Sequence, residues 1–138
     1  MVASLTIQRL YAFAVLLLRD FFCWGPLDRL FQWKAQVTMS LSQVCLVGAT
    51  VLSTSVAMGH LVWIAQSKGA FLGSGTVLGL VLYSANGWAE QRVLPRFEHE
   101  YRALTRPQRI LGTIMVLLIV VLTAVAFFES AAAARGLR

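Results

Sequence analysis

Residues 110–128 read ILGTIMVLLIVVLTAVAFF, nineteen almost uninterrupted aliphatic and small residues between Arg109 and Glu129. A helix rises ~1.5 Å per residue and the hydrocarbon core of a bilayer is ~30 Å thick, so ~20 such residues suffice to cross it. The run has no polar face, as a surface helix of a soluble domain would. It reads as a membrane span that starts after Arg109 and closes at Glu129.

Two more uncharged stretches precede it. Residues 37–65 and 69–89 contain no Asp, Glu, Lys or Arg, and the link Gln66-Ser67-Lys68-Gly69 has the length of an antiparallel helix-helix turn. The first stretch begins with Thr38, Ser40, Ser42 and Gln43, which places its start in the headgroup layer. Composition agrees: 58% of the chain is hydrophobic and 13% is charged, whereas a soluble domain carries ~25% charged residues. These proportions exclude an ordinary soluble enzyme.

Residues 1–34 differ. Leu10 to Leu18 is apolar for only nine residues between Arg9 and Arg19, too short to span. At ~100° per residue, Ile7, Leu10, Tyr11, Ala14, Leu17, Leu18 and Phe21 gather on one side, with Gln8, Arg9, Arg19 and Asp20 opposite and Leu16 as the exception. This is the pattern of an interfacial amphipathic helix. Gly25-Pro26 ends it, and Trp24, Asp28, Arg29, Trp33 and Lys34 supply anchoring groups before the first span. A signal peptide would need a small-residue cleavage site where Arg19-Asp20 and aromatics stand. A re-entrant or fourth spanning segment would bury Arg19 and Asp20 as a pair. The expected fold is an all-α integral membrane protein, three transmembrane helices preceded by an N-terminal interfacial amphipathic helix, with residues 129–138 as a tail prolonging the third helix.

Net charge is +6. The basic residues follow membrane sides rather than one soluble face, so no nucleic-acid partner is expected. Arg9, Arg19, Arg29, Lys34, Arg92, Arg96, Arg102, Arg106 and Arg109 fall on one side of the expected spans, and Lys68, Arg135 and Arg138 on the other. The positive-inside rule then makes the N-terminus and the 90–109 loop cytoplasmic and the C-terminus external, as in a bacterial inner membrane. Within that loop Val93, Leu94, Phe97, Tyr101 and Leu104 recur at helical spacing. Its five arginines, Arg92, Arg96, Arg102, Arg106 and Arg109, are candidates for contact with anionic lipid or a partner protein.

Chemistry-bearing residues are few. His60 falls inside the first expected span, where a neutral imidazole could ligate a haem or pigment, beside Gly59 and Trp63. The bland alternative is a histidine hydrogen-bonded near the helix end. Cys23 and Cys45 read as small hydrophobic residues, and Glu98-His99-Glu100 is too short a ligand set for a metal. There is no phosphate loop, no catalytic triad and no pair of intramembrane carboxylates, so neither catalysis nor a metal is expected, nor in the main reading any cofactor. Small residues are the positive signal. Gly69 with Gly73 and Gly75 with Gly79 make two Gly-xxx-Gly steps, and Ala49, Ser53 and Ala57 recur every four residues; these faces would let spans one and two approach closely, leaving the third span to face lipid. The expected function is a small noncatalytic accessory subunit or assembly scaffold bound to the bilayer and to other membrane subunits. The alternatives are a haem-, pigment- or quinone-binding anchor using His60, and a small transporter or oligomeric pore lined in part by Asn86 and Tyr83.

Overall fold

The computed structural model describes residues 2–23, 30–60 and 67–135. These form four helices and no strand: α1 (Val2–Cys23), α2 (Phe31–Met58), α3 (Lys68–Arg102) and α4 (Arg106–Arg135). The readings made on Trp24, Gly25-Pro26, Asp28, Arg29, Trp63 and Arg138 lie outside the described residues.

Local chemistry sets the helix ends. α2 stops at Gly59, whose φ of 71° is the left-handed conformation that glycine adopts without a steric penalty, and whose N–H donates to the Val56 carbonyl. Ser67 caps α3 by accepting from the Ala70 N–H at 3.3 Å. At the start of α4 the Gln108 side chain accepts from the Thr105 N–H at 2.9 Å, half of a capping box, and Pro107 sits in the first turn, where its missing N–H costs little.

α3 is longer than the sequence pattern implies. It runs unbroken through Pro95 and joins residues 69–89 to most of the stretch read as a loop, 90–109. Proline inside a helix costs ~3 kcal/mol. Leu94, Phe97 and Tyr101 offset this, since they are 4–6% exposed beneath Ala12, Val15 and Leu16 of α1, and each such burial contributes ~1.5–3 kcal/mol. The residues at helical spacing within the 90–109 stretch are therefore covered by α1.

The roll of α1 also departs from expectation. Ala12, Val15, Leu16, Leu17 and Leu18 are buried, while Ile7 and Leu10 are 67% and 66% exposed. The helical wheel assumed a flat surface beneath one face. Instead α1 meets the apolar strip of α3 and the notch at Gly112 of α4, where an added Cβ would lie 2.9 Å from Leu17 Cδ1. Arg9 and Asp20, ~16 Å apart along the axis of α1, contact the adjacent residues Glu100 and Tyr101. α1 thus runs across α3 rather than along it.

The other three helices alternate in direction. Ser42 bonds to Thr123 and Ser53 to Ser130, both at 2.9 Å, so α2 and α4 are parallel. Gln36 reaches Glu90 while Val44 lies against Gly79, so α2 and α3 are antiparallel. The most extensive contact is between α2 and α4. The C-terminal helix accordingly faces α2 on one side instead of being free all round, because Gly48 and the serines and threonines of the two helices let them approach. Among the described residues two helices are long and apolar enough to cross a membrane, Gln32–Met58 and Arg106–Arg135. No residue in the most apolar stretch of α4 is fully buried. α3 is not among them, because glycines, hydroxyl residues and Asn86 dilute its 69–89 run.

Candidate functional site

All described basic residues except Lys68 and Arg135 collect at one end of the bundle, where α1 crosses. Inside this basic end lies a buried polar cluster. Arg19 Nη2 of α1 donates to Glu90 Oε2 of α3 at 2.6 Å, and Gln36 Nε2 of α2 donates to the same oxygen at 3.2 Å. The Glu90 side chain is 3% exposed, and its Oε1 has no hydrogen-bond partner; Arg19 Nε is likewise unmatched.

One turn away, Asn86 is 6% exposed, and its amide donates to Ser40 Oγ at 2.9 Å and Gln43 Oε1 at 3.0 Å. Tyr11 of α1 donates to the Asn86 carbonyl and side-chain oxygen at 3.2 and 3.3 Å. Burial pushes the Tyr11 phenol up to about 12; the Glu90 charge adds to the shift and Arg19 opposes it. Nearby, the Tyr101 hydroxyl donates to Asp20 Oδ2, and Arg109 lies over the Tyr101 ring with its centroid 5.0 Å away. Burial first, and then the bond and charge of Asp20, hold the Tyr101 phenol above its ordinary range. The cluster ties α1, α2 and α3 together through polar side chains, an arrangement that can specify one packing where apolar contact alone would permit several.

The second feature is a groove along the α2–α3 seam. Its larger part, about 680 Å³, is almost wholly apolar and runs between Val44, Val47 and Val51 of α2 and Leu72, Gly75, Gly79 and Leu80 of α3, with Tyr83 and Ser40 towards the basic end. Beyond the close approach of Gly87 to Gln36, a separate cavity of about 310 Å³ lies against the same strip of α3, lined by Arg19 and Leu16 of α1, Gln32 and Gln36 of α2, and Glu90, Gln91, Leu94 and Glu98 of α3.

The expected packing residues divide between faces. Gly79 lies in ordinary contact with Val44, Gly69 is near its own cap Ser67, and Gly73 and Gly75 face open space. Ala49 is buried, Ser53 bonds to Ser130 of α4, and Ala57 is exposed. His60 is exposed one residue beyond the cap of α2, with Nδ1 3.1 Å from the Met58 carbonyl, so it stands outside the helix in which the sequence pattern put it. Of the five arginines, Arg92 stacks on Trp88 at 4.3 Å, Arg96 and Arg106 are exposed, and Arg102 pairs with Glu98 at 2.6 Å. Arg109 turns inward towards Asp20 and the Arg102 carbonyl.

Sequence reasoning missed Glu90, Gln36, Ser40 and Gln43. A signal existed: Asn86 and Glu90 are one turn apart, as are Gln36 and Ser40, so each helix presents a polar pair on one face. No protein-family model, curated protein or solved structure matches this chain.

Proposed function

We propose that this chain is a small noncatalytic polytopic membrane protein acting as an accessory subunit or assembly scaffold of a larger membrane complex. In this reading α2, the uncharged part of α3 and α4 cross the bilayer. α1 lies at the headgroup level of the basic side. That side is cytoplasmic and the C-terminus external, in a bacterial inner membrane. The alternation of α2, α3 and α4 supports it, since three antiparallel passes put Arg92, Arg96, Arg102 and Arg106 on the same side as Arg9 and Lys34.

The observation that carries the reading is the unclosed α2–α3 seam. Leu72 and Leu80 beside it are 68% and 64% exposed, and Gly75 would meet nothing within 4 Å if it carried a Cβ. In lipid, helices associate through close packing rather than the hydrophobic effect, and exposed glycine backbone is where another helix approaches best. The test is purification in mild detergent from native membranes with the stoichiometry of accompanying proteins measured. A fixed stoichiometric partner is expected, and Gly75→Leu should detach it while insertion persists. Isolation as a homogeneous oligomer of this chain alone would overturn the proposal.

A further inference from the structure

Every described carboxylate at the basic end is matched to an arginine. Glu90 pairs with Arg19, Glu98 with Arg102 and Glu100 with Arg9, and Asp20 lies 3.9 Å from Arg109. Arg92 and Arg96 are among the cations left over: both are exposed, and neither has an anionic partner among the described residues. They stand one turn apart on α3, where like charges repel and destabilise a helix. Arg92 is also held in place, its guanidinium 4.3 Å from the centroid of the Trp88 ring one turn earlier. Stacking on an indole face fixes the plane of a guanidinium and leaves its N–H edge free to donate.

At ~100° per residue, Val77, Val81, Trp88, Arg92 and Arg96 fall within about 100° of one another on α3. Val77, Val81 and Trp88 are 62%, 58% and 59% exposed, so no helix of this chain covers this face. Glu90 and Glu98 lie on the other side of α3, and Glu100, one turn beyond Arg96, is drawn off by Arg9 at 3.0 Å. Towards the C-terminus of α3 the stripe passes from branched aliphatic residues to an indole and then to two unpaired guanidinium groups. A phospholipid presents acyl chain, glycerol and phosphate in the same order. An acidic peptide would match the arginines and leave the valines and the indole uncovered. Two unpaired cations also favour a headgroup of net negative charge over a zwitterionic one, whose ammonium they would repel. We infer that this face of α3 binds one anionic phospholipid of the basic-side leaflet, its phosphate between Arg92 and Arg96, its glycerol level with Trp88 and its acyl chain along Val81 and Val77. The inference rests on the reading that residues 69–89 cross the bilayer and adds a ligand to it.

The test uses the full chain in mild detergent, with phosphatidylglycerol and phosphatidylcholine offered in competition and retained lipid counted by native mass spectrometry. One phosphatidylglycerol per chain is expected to be held in preference to phosphatidylcholine. Arg92→Gln and Arg96→Gln should each weaken this about fivefold and together about twenty-fold, while Arg135→Gln at the far end changes nothing. Arg92→Lys should fall between the parent and Arg92→Gln, because lysine keeps the charge without the planar stacked fork. Equal retention of the two lipids, or a preference untouched by the double variant, overturns the site. Arg92→Lys equal to the parent reduces the effect to diffuse charge and overturns it as well. Displacement by inorganic phosphate or polyglutamate as effective as by phosphatidylglycerol overturns the lipid as ligand. In phosphatidylcholine vesicles containing phosphatidylglycerol, a polarity-sensitive dye on Val81→Cys, with Cys23 and Cys45 replaced by serine, is expected to report apolar surroundings with or without the two arginines. Emission typical of water there removes the spanning reading itself.

Discussion

Replacing Arg19 by leucine isolates the energetics of the buried cluster. Glu90, 3% exposed, would keep only the Gln36 bond at 3.2 Å in place of the 2.6 Å ion pair. Removing one member of a buried pair costs ~3–5 kcal/mol, because the other is left as an uncompensated charge. Replacing both is a different perturbation. The pair already lacks partners for Glu90 Oε1 and Arg19 Nε, so its desolvation is incompletely offset in the native protein. The double variant Arg19→Leu, Glu90→Leu should therefore lie within ~1–2 kcal/mol of the parent, or above it. At ~3–5 °C per kcal/mol for a chain of this size, Arg19→Leu should melt ~10–25 °C lower and the double variant close to the parent. Thermal unfolding in bicelles, followed by far-UV circular dichroism for all four members of the cycle, measures this. If the double variant falls by the sum of the two singles within ~0.5 kcal/mol, the residues are not coupled and the reasoning fails.

The remaining expectations concern packing, ionisation and topology. Asn86→Leu removes bonds to Ser40 and Gln43 and should destabilise by ~1 kcal/mol, the scale of interhelical bonds in membranes, read in the same melting assay. Gly48→Ala sets a Cβ 2.7 Å from Phe127 Cε2 and should cost up to ~1–3 kcal/mol, whereas Gly73→Ala meets open space and should be neutral or stabilising; equal losses at both would contradict the packing. Tyr11 has its pKa raised from 10.0 to about 12, so the folded protein keeps a proton that the unfolded chain releases. That stability is fully present below ~pH 10 and is lost as pH rises through the folded value, so the melting temperature should fall between ~pH 10 and ~pH 12 and Tyr11→Phe should lessen that fall. With Cys23 and Cys45 replaced by serine, a cysteine at Ala133 should react with an impermeant maleimide only from outside and one at Thr105 only from the cytoplasm; the reverse pattern inverts the topology.

Periodicity made the apolar helices legible. The 110–128 run lies wholly within α4, because an uncharged aliphatic segment of that length has one way to satisfy its backbone in lipid. Periodicity failed where two explanations share one pattern. Leu94, Phe97 and Tyr101 look the same whether they rest on a membrane or on another helix, and only the presence of α1 above them decides. The same ambiguity hid the roll of α1, whose charged residues find partners on α3 rather than solvent. The absence of charged residues between Lys34 and Lys68 puts His60 within a span, yet Gly59 in the left-handed conformation ends α2 first.

By itself the sequence determined the all-helical class, the two most apolar helices and the one-sided gathering of basic residues. These follow from local composition, since backbone satisfaction in an apolar medium and the placement of charge depend on each segment alone. Tertiary structure alone decided that Arg19 meets Glu90, that α2 packs against α4, and that the α2–α3 seam stays open beside Gly75. Pairings between residues dozens of positions apart are set by which faces interlock, and no window along the chain contains both partners.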